Sequence, residues 1–120
     1  MIKLIPNLPA NVVGFTVSEQ LTATDYETVL IPEVESILKQ HKKVRILCHL
    51  STAFTGLSAG AIWDDAKFGL GNFNSWEKIA IVTDKEWIEL AYDIFKFAIP
   101  CPLQVFVNEQ YAEAEFWIVS

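Results

Sequence analysis

The sequence is short of the features that name an activity. It has two cysteines, Cys48 and Cys101, both in apolar strand-like runs and without CxxC spacing. That excludes a disulfide framework or a CxxC redox motif and fits buried thiols in a reducing, cytoplasmic setting. No apolar run approaches the roughly 20 residues of a membrane span, so integral membrane insertion is not expected. The first five residues lead straight into Pro6 and Pro9, which leaves no leader pattern at this end. Positive charge is also scarce, and the net charge is −6. Phosphate backbones repel such a surface, so nucleic-acid binding is not expected. The one basic cluster, Lys39, Lys42, Lys43 and Arg45 beside His41, lies at an expected helix C-terminus, where cations complement the dipole. No HExxH, P-loop or GxGxxG pattern is present, and nothing in the spacing asks for a metal or cofactor.

Apolar residues are plentiful, at 52% of the chain, and Trp, Tyr and Phe make up 12%. That excludes disorder and gives one domain over residues 1–120 enough to build a core. The surplus of large rings either fills that core or lines a pocket or interface. Short strands are expected over residues 3–5, 12–18, 44–50, 78–83 and 103–107, the first two paired antiparallel. Thr24 and Glu27 have capping-box spacing at the start of a helix whose stripe is Tyr26, Leu30, Val34, Ile37 and Leu38. Pro32 within it predicts a kink or restart. Residues 51–57 and 69–75 read as loops, and further helices are expected from Ser58 to about Phe68, from Thr83 and Glu86 to Pro100, and from an Asn108 cap to Trp117. The order ββαβαβαβα implies an α/β fold with a mixed, mostly parallel five-stranded sheet and about four helices. Ligands in such open sheets bind outside the carboxyl ends of the strands.

That order and several segments resemble the SpoIIAA-like family, relatives of the STAS domains of anti-sigma-factor antagonists and anion transporters. The segments are LTATDYETVLIPEVE (21–35), VRILCHL (44–50), WDDAK (63–67), KIAIVTDK (78–85) and AEAEFW (112–117). The resemblance covers nearly the whole chain and identifies a fold family better than an activity. It implies a non-enzymatic regulatory or binding module, often switched by phosphorylation of a Ser or Thr at the start of the helix after the third strand. It also implies a likeness to lipid-binding CRAL-TRIO folds. The antagonists carry an Asp-Ser-Ser-Gly-like turn there, whereas this chain has LSTAFTGLS (50–58), longer and without Asp. Ser58 or Thr55 is the nearest equivalent of the phosphosite.

The candidate ligand-binding residues are therefore Ser51, Thr52, Gly56 and Ser58 in this segment, with Phe54 and Trp63 as apolar walls. An anion or phosphate would suit the helix N-terminus. Ser58 equally serves as a simple helix cap, and Phe54 and Trp63 as core or interface residues. Asp64 and Asp65 are neighbours on a helix and diverge by about 100°, which argues against a shared ligand. Cys48 and His49 face opposite sides of a strand, which makes them a poor nucleophile pair. The expected function is binding of a small apolar or anionic ligand, with a phospho-regulated protein-interaction module as the alternative and an enzyme third. A homodimer through an edge strand such as residues 103–107 is compatible with the pattern.

Overall fold

The apolar run of residues 44–50 becomes the middle strand of a five-stranded sheet because helices cover both of its faces. In the computed structural model, residues 2–58, 60, 75–84, 86 and 101–120 are described. The strands are β1 (Ile2–Leu4), β2 (Val12–Leu21), β3 (Val44–Leu57), β4 (Trp76–Val82) and β5 (Leu103–Phe106). They lie side by side in chain order, β1 antiparallel to β2 and the other pairs parallel. The mixed, mostly parallel sheet expected from the sequence is therefore present. Chain order without reversal means that the sheet has no topological switch point, so a site must be argued from side chains and not from topology alone.

The first helix, α1 (residues 23–38), begins two residues earlier than expected. Thr22 is the cap: its Oγ1 accepts from the Asp25 amide at 3.2 Å, and the Asp25 carboxylate accepts from the Thr22 amide at 3.0 Å. Thr24 lies inside the helix, where its carbonyl accepts the Thr28 hydroxyl. The capping-box pair is thus Thr22/Asp25 and not Thr24/Glu27, because β2 runs to Leu21 and hands the chain directly to Thr22.

At Pro32 the helix restarts, as expected, without ending α1. A π-helical turn, Tyr26–Leu30, precedes it, and Pro32 falls in the first turn of the segment Ile31–Leu38. A first-turn position leaves proline's missing amide without consequence, so the wider turn absorbs the residue that a regular helix would reject. Tyr26, Leu30 and Val34 are buried, as the stripe requires. They pack on one sheet face with Val13, Phe15 and Val17 of β2 and Val44, Leu50 and Phe54 of β3.

The opposite face carries Val12, Leu47, Ala80, Val82 and Phe106, covered by Ala114 and Ile118 of α2 (Tyr111–Val119). A 3-10 turn, Asn108–Gln110, leads into α2. Val107 precedes the turn and has no side-chain acceptor; the Gln110 Oε1 instead accepts the Val107 amide at 3.2 Å. Asn108 is therefore not the expected cap, and its side chain is used elsewhere. At its other end α2 is held by cations of the sheet: Arg45 donates to the Ile118 carbonyl at 2.8 Å and Lys78 to the Trp117 carbonyl at 3.1 Å. Arg45 thus serves the C-terminus of α2 as well as an ion pair with Glu77, and not the end of α1. Among the described residues two helices are counted, against about four expected. The other two, over 58–68 and 86–99, fall largely outside the described residues.

Leu8, in the connection from β1 to β2, lies over Gly14, where an added Cβ would meet Leu8 Cδ1 at 2.5 Å. Among the described residues no helix is long and apolar enough to cross a membrane.

Candidate functional site

The segment of residues 51–57 is strand and not loop. Its serine, threonines and glycine suggest a loop, but β2 continues to Leu21 and gives it a partner. The pairing is irregular. From Val17↔Leu50 to Glu19↔Phe54, β2 advances two residues while β3 advances four, and from there to Gln20↔Gly56 the steps are one and two. Three surplus residues on β3 make two bulges. Gly56 has φ +128° and Glu19 has φ +59°, left-handed values that place the strain of the second bulge on both strands. The Ser58 amide donates to the Leu21 carbonyl at 2.9 Å and extends the ladder past Leu57.

The bulges sort the expected site residues. Phe54 is 1% exposed and belongs to the core with Leu21, Tyr26 and Leu30, so it does not wall an open pocket. Ser51 is half-buried, and its Oγ accepts from the Ala53 amide at 3.3 Å. Thr52, Ala53 and Thr55 are exposed, whereas Gly56 and Ser58 are half-buried. Trp63, with Asp64 and Asp65, lies outside the described residues. The structure therefore brings Ser51, Thr52, Thr55, Gly56 and Ser58 onto one bulged strand end and removes Phe54 to the interior.

Residues 56–60 also spell Gly-Leu-Ser-Ala-Gly, the Gly-x-Ser-x-Gly spacing of a nucleophile elbow. The context matches in part, since β3 ends at Leu57 and Gly60 is already helical. Two observations argue against a nucleophile. Ser58 is absent from the non-glycine residues with positive φ, so it lacks the strained turn that projects such a serine. Both histidines, His41 and His49, precede it, whereas the hydrolase triad places its His after the Ser. His49 lies nine residues back along β3, on the order of 25 Å at strand rise even after the bulges.

A second cluster, at the ends of β4 and β5, escaped the sequence reading. His49 on β3 stands beside Thr16 on β2 in register. The Nε2 of His49 donates to the Asn108 Oδ1 at 2.7 Å, which leaves its Nδ1 to accept from the Thr16 hydroxyl at 3.3 Å. The Asn108 amide donates to the Asp84 carboxylate at 2.9 Å. Tyr111 sets its ring edge against His49, with centroids 4.9 Å apart. Burial pushes the Tyr111 phenol up, and the Glu115 carboxylate adds to the shift through its charge and a hydrogen bond. The Cys101 thiol is also pushed up by burial, against a smaller lowering by Lys43. One signal pointed to the cluster: a histidine in the apolar strand VRILCHL, since a polar group half-buried in a sheet needs a partner. Its partner lies 59 residues away in the chain, and no local pattern discloses that.

The SpoIIAA-like family profile matches residues 12–119. No curated protein matches the chain. Among solved structures, the chain is similar to an uncharacterised protein with a SpoIIAA-like fold from Shewanella loihica PV-4, at 28% identity and a TM-score of 0.76. That similarity covers 98% of this chain and 93% of the other.

Proposed function

The chain belongs to the SpoIIAA-like family, and from that premise we propose that it is a non-enzymatic regulatory module that engages its partner through the bulged end of β3. The family and fold support a regulatory or binding module in general. The narrower reading rests on one observation, the three surplus residues that turn Thr52, Ala53 and Thr55 outward at the end of an otherwise buried strand. Bulges re-aim side chains and concentrate beside functional sites. Phe54, one residue before Thr55, anchors the segment in the core, so the displayed hydroxyls sit on a rigid support.

A phospho-regulated form of this reading is favoured at Thr55 over Ser58. A phosphate brings about −1.5 to −2 charges, which an exposed hydroxyl accepts without desolvation. Thr55 is exposed, whereas Ser58 is half-buried and tied to Leu21 by its backbone. The small-ligand form keeps Ser51, Thr52, Gly56 and Ser58 as polar contacts, with Trp63 as its remaining apolar wall.

Native mass spectrometry of the protein from its own host, followed by the same sample denatured, tests the proposal. The expected result is a companion protein or small molecule lost on denaturation, or a covalent phosphate that maps to Thr55. A bare chain of unmodified mass in both spectra would count against a module engaged in the cell.

A further inference from the structure

Asn108 is held at two points and left open at a third. Its backbone amide is taken by Asp84 and its Oδ1 by His49. Its Nδ2 is buried and has no hydrogen-bond partner among the described residues. An orphaned buried donor is costly, and native folds remove most of them. A structural tie to His49 needs only the carboxamide oxygen and does not explain why the other half of the group is left unpaired. Meanwhile the side chain is fixed in orientation, which is the condition of a preorganised contact.

Independently of the β3 reading, we propose that Asn108 Nδ2 is the polar contact of a second binding site, for a small uncharged molecule that presents a carbonyl oxygen. Asn108 is bonded to His49, which in turn touches Thr16 and Tyr111, and all four residues are half-exposed, so the donor lies just below the surface. The His49 and Tyr111 rings supply the apolar wall that small-molecule sites combine with a few fixed polar groups. Charge selects against an anion. Asp84 bonds the same residue, Glu115 bonds Tyr111, Glu109 follows Asn108, and the whole chain carries −6.

The test is a titration of the full chain followed by NMR, with N,N-dimethylacetamide as a neutral probe that can only accept hydrogen bonds and acetate as the charged comparison. The neutral probe is expected to move the Asn108 side-chain amide and the backbone amides of Thr16, His49 and Tyr111 saturably, with half-saturation on the order of millimolar. In Asn108→Ala the backbone shifts should need at least about tenfold more probe, the loss expected for one buried hydrogen bond. Asn108→Asp keeps the shape without the donor and serves if the alanine variant does not fold. Absence of saturation, or equal affinity in both variants and the parent, overturns the site. Tighter binding of acetate than of the neutral probe overturns the assigned class.

Discussion

Thr22, and not Thr24, decides where α1 begins, and the difference is measurable. Thr22→Ala removes the acceptor for the Asp25 amide and is expected to cost about 1 kcal/mol. Thr24→Ala, at an exposed position inside the helix, should stay within about 0.5 kcal/mol. Urea denaturation of the two variants checks the order, and a larger loss for Thr24 would restore the cap inferred from spacing. Phe54 makes the opposite point about a residue expected at a ligand. With 1% of it exposed, Phe54→Ala should cost about 3–5 kcal/mol of stability, as removal of a core ring does. Tyr111 gives a test against pH. Its phenol is raised in the folded chain by burial first and by Glu115 second, so the neutral form is favoured there. The resulting stabilisation is complete below about pH 10, the unfolded value, and is lost as pH rises through the higher folded one. Tyr111→Phe should therefore flatten part of the alkaline fall in melting temperature; an unchanged profile would detach the phenol from that fall.

At the scale of elements, α2 depends on charges that come from other strands. Arg45 on β3 bonds both Glu77 on β4 and the Ile118 carbonyl, at the end where the helix dipole is negative. Arg45→Met should cost about 1–2 kcal/mol, and Glu77→Gln less, because it leaves the helix contact in place. Equal losses by chemical denaturation would mean that the ion pair alone matters. The same example shows how far the elements were legible. Strand positions came through because VRILCHL and KIAIV bury both faces and advertise it, and the α1 stripe came through because its spacing is helical. Arg45 was assigned to the nearest helix in the chain, since sequence shows proximity along the chain and not across the sheet. The β3 bulges were hidden for a related reason. Ser, Thr and Gly usually mark a loop, and only the length of β2 reveals that this segment has a partner. Pro32 announced a kink or restart, and an α-helical segment does begin anew at Ile31, but nothing in the residues before it announced the π turn. The conformation of the hydroxyl-bearing segment, and the whole His49–Asn108 cluster, thus required the fold.

The molecule closes where its last helix meets strands more than 30 residues earlier, and that joint makes two neighbouring residues behave very differently. Ile118 is 0% exposed and shares a cluster with Leu47 of β3 and Ala80 and Val82 of β4. Phe116, two residues before it, is 75% exposed. A helix turns about 100° per residue, so this two-residue step carries the side chain from the outer surface to the sheet. Composition alone reverses the expectation, because phenylalanine has more apolar area to bury than isoleucine. Position decides instead. Ile118→Ala should cost about 2–5 kcal/mol, a large share of the 5–15 kcal/mol that holds a domain together. It should also loosen the α2 end that Arg45 and Lys78 hold. Phe116→Ser should stay within about 0.5 kcal/mol at low protein concentration, the usual range for a surface change. Melting both variants over a hundredfold range of concentration separates packing within the chain from packing between chains. If the Phe116→Ser loss grows with concentration, the ring is buried in an assembly in solution, by mass action. If it stays small throughout while Ile118→Ala stays large, closure of the fold is internal to one chain.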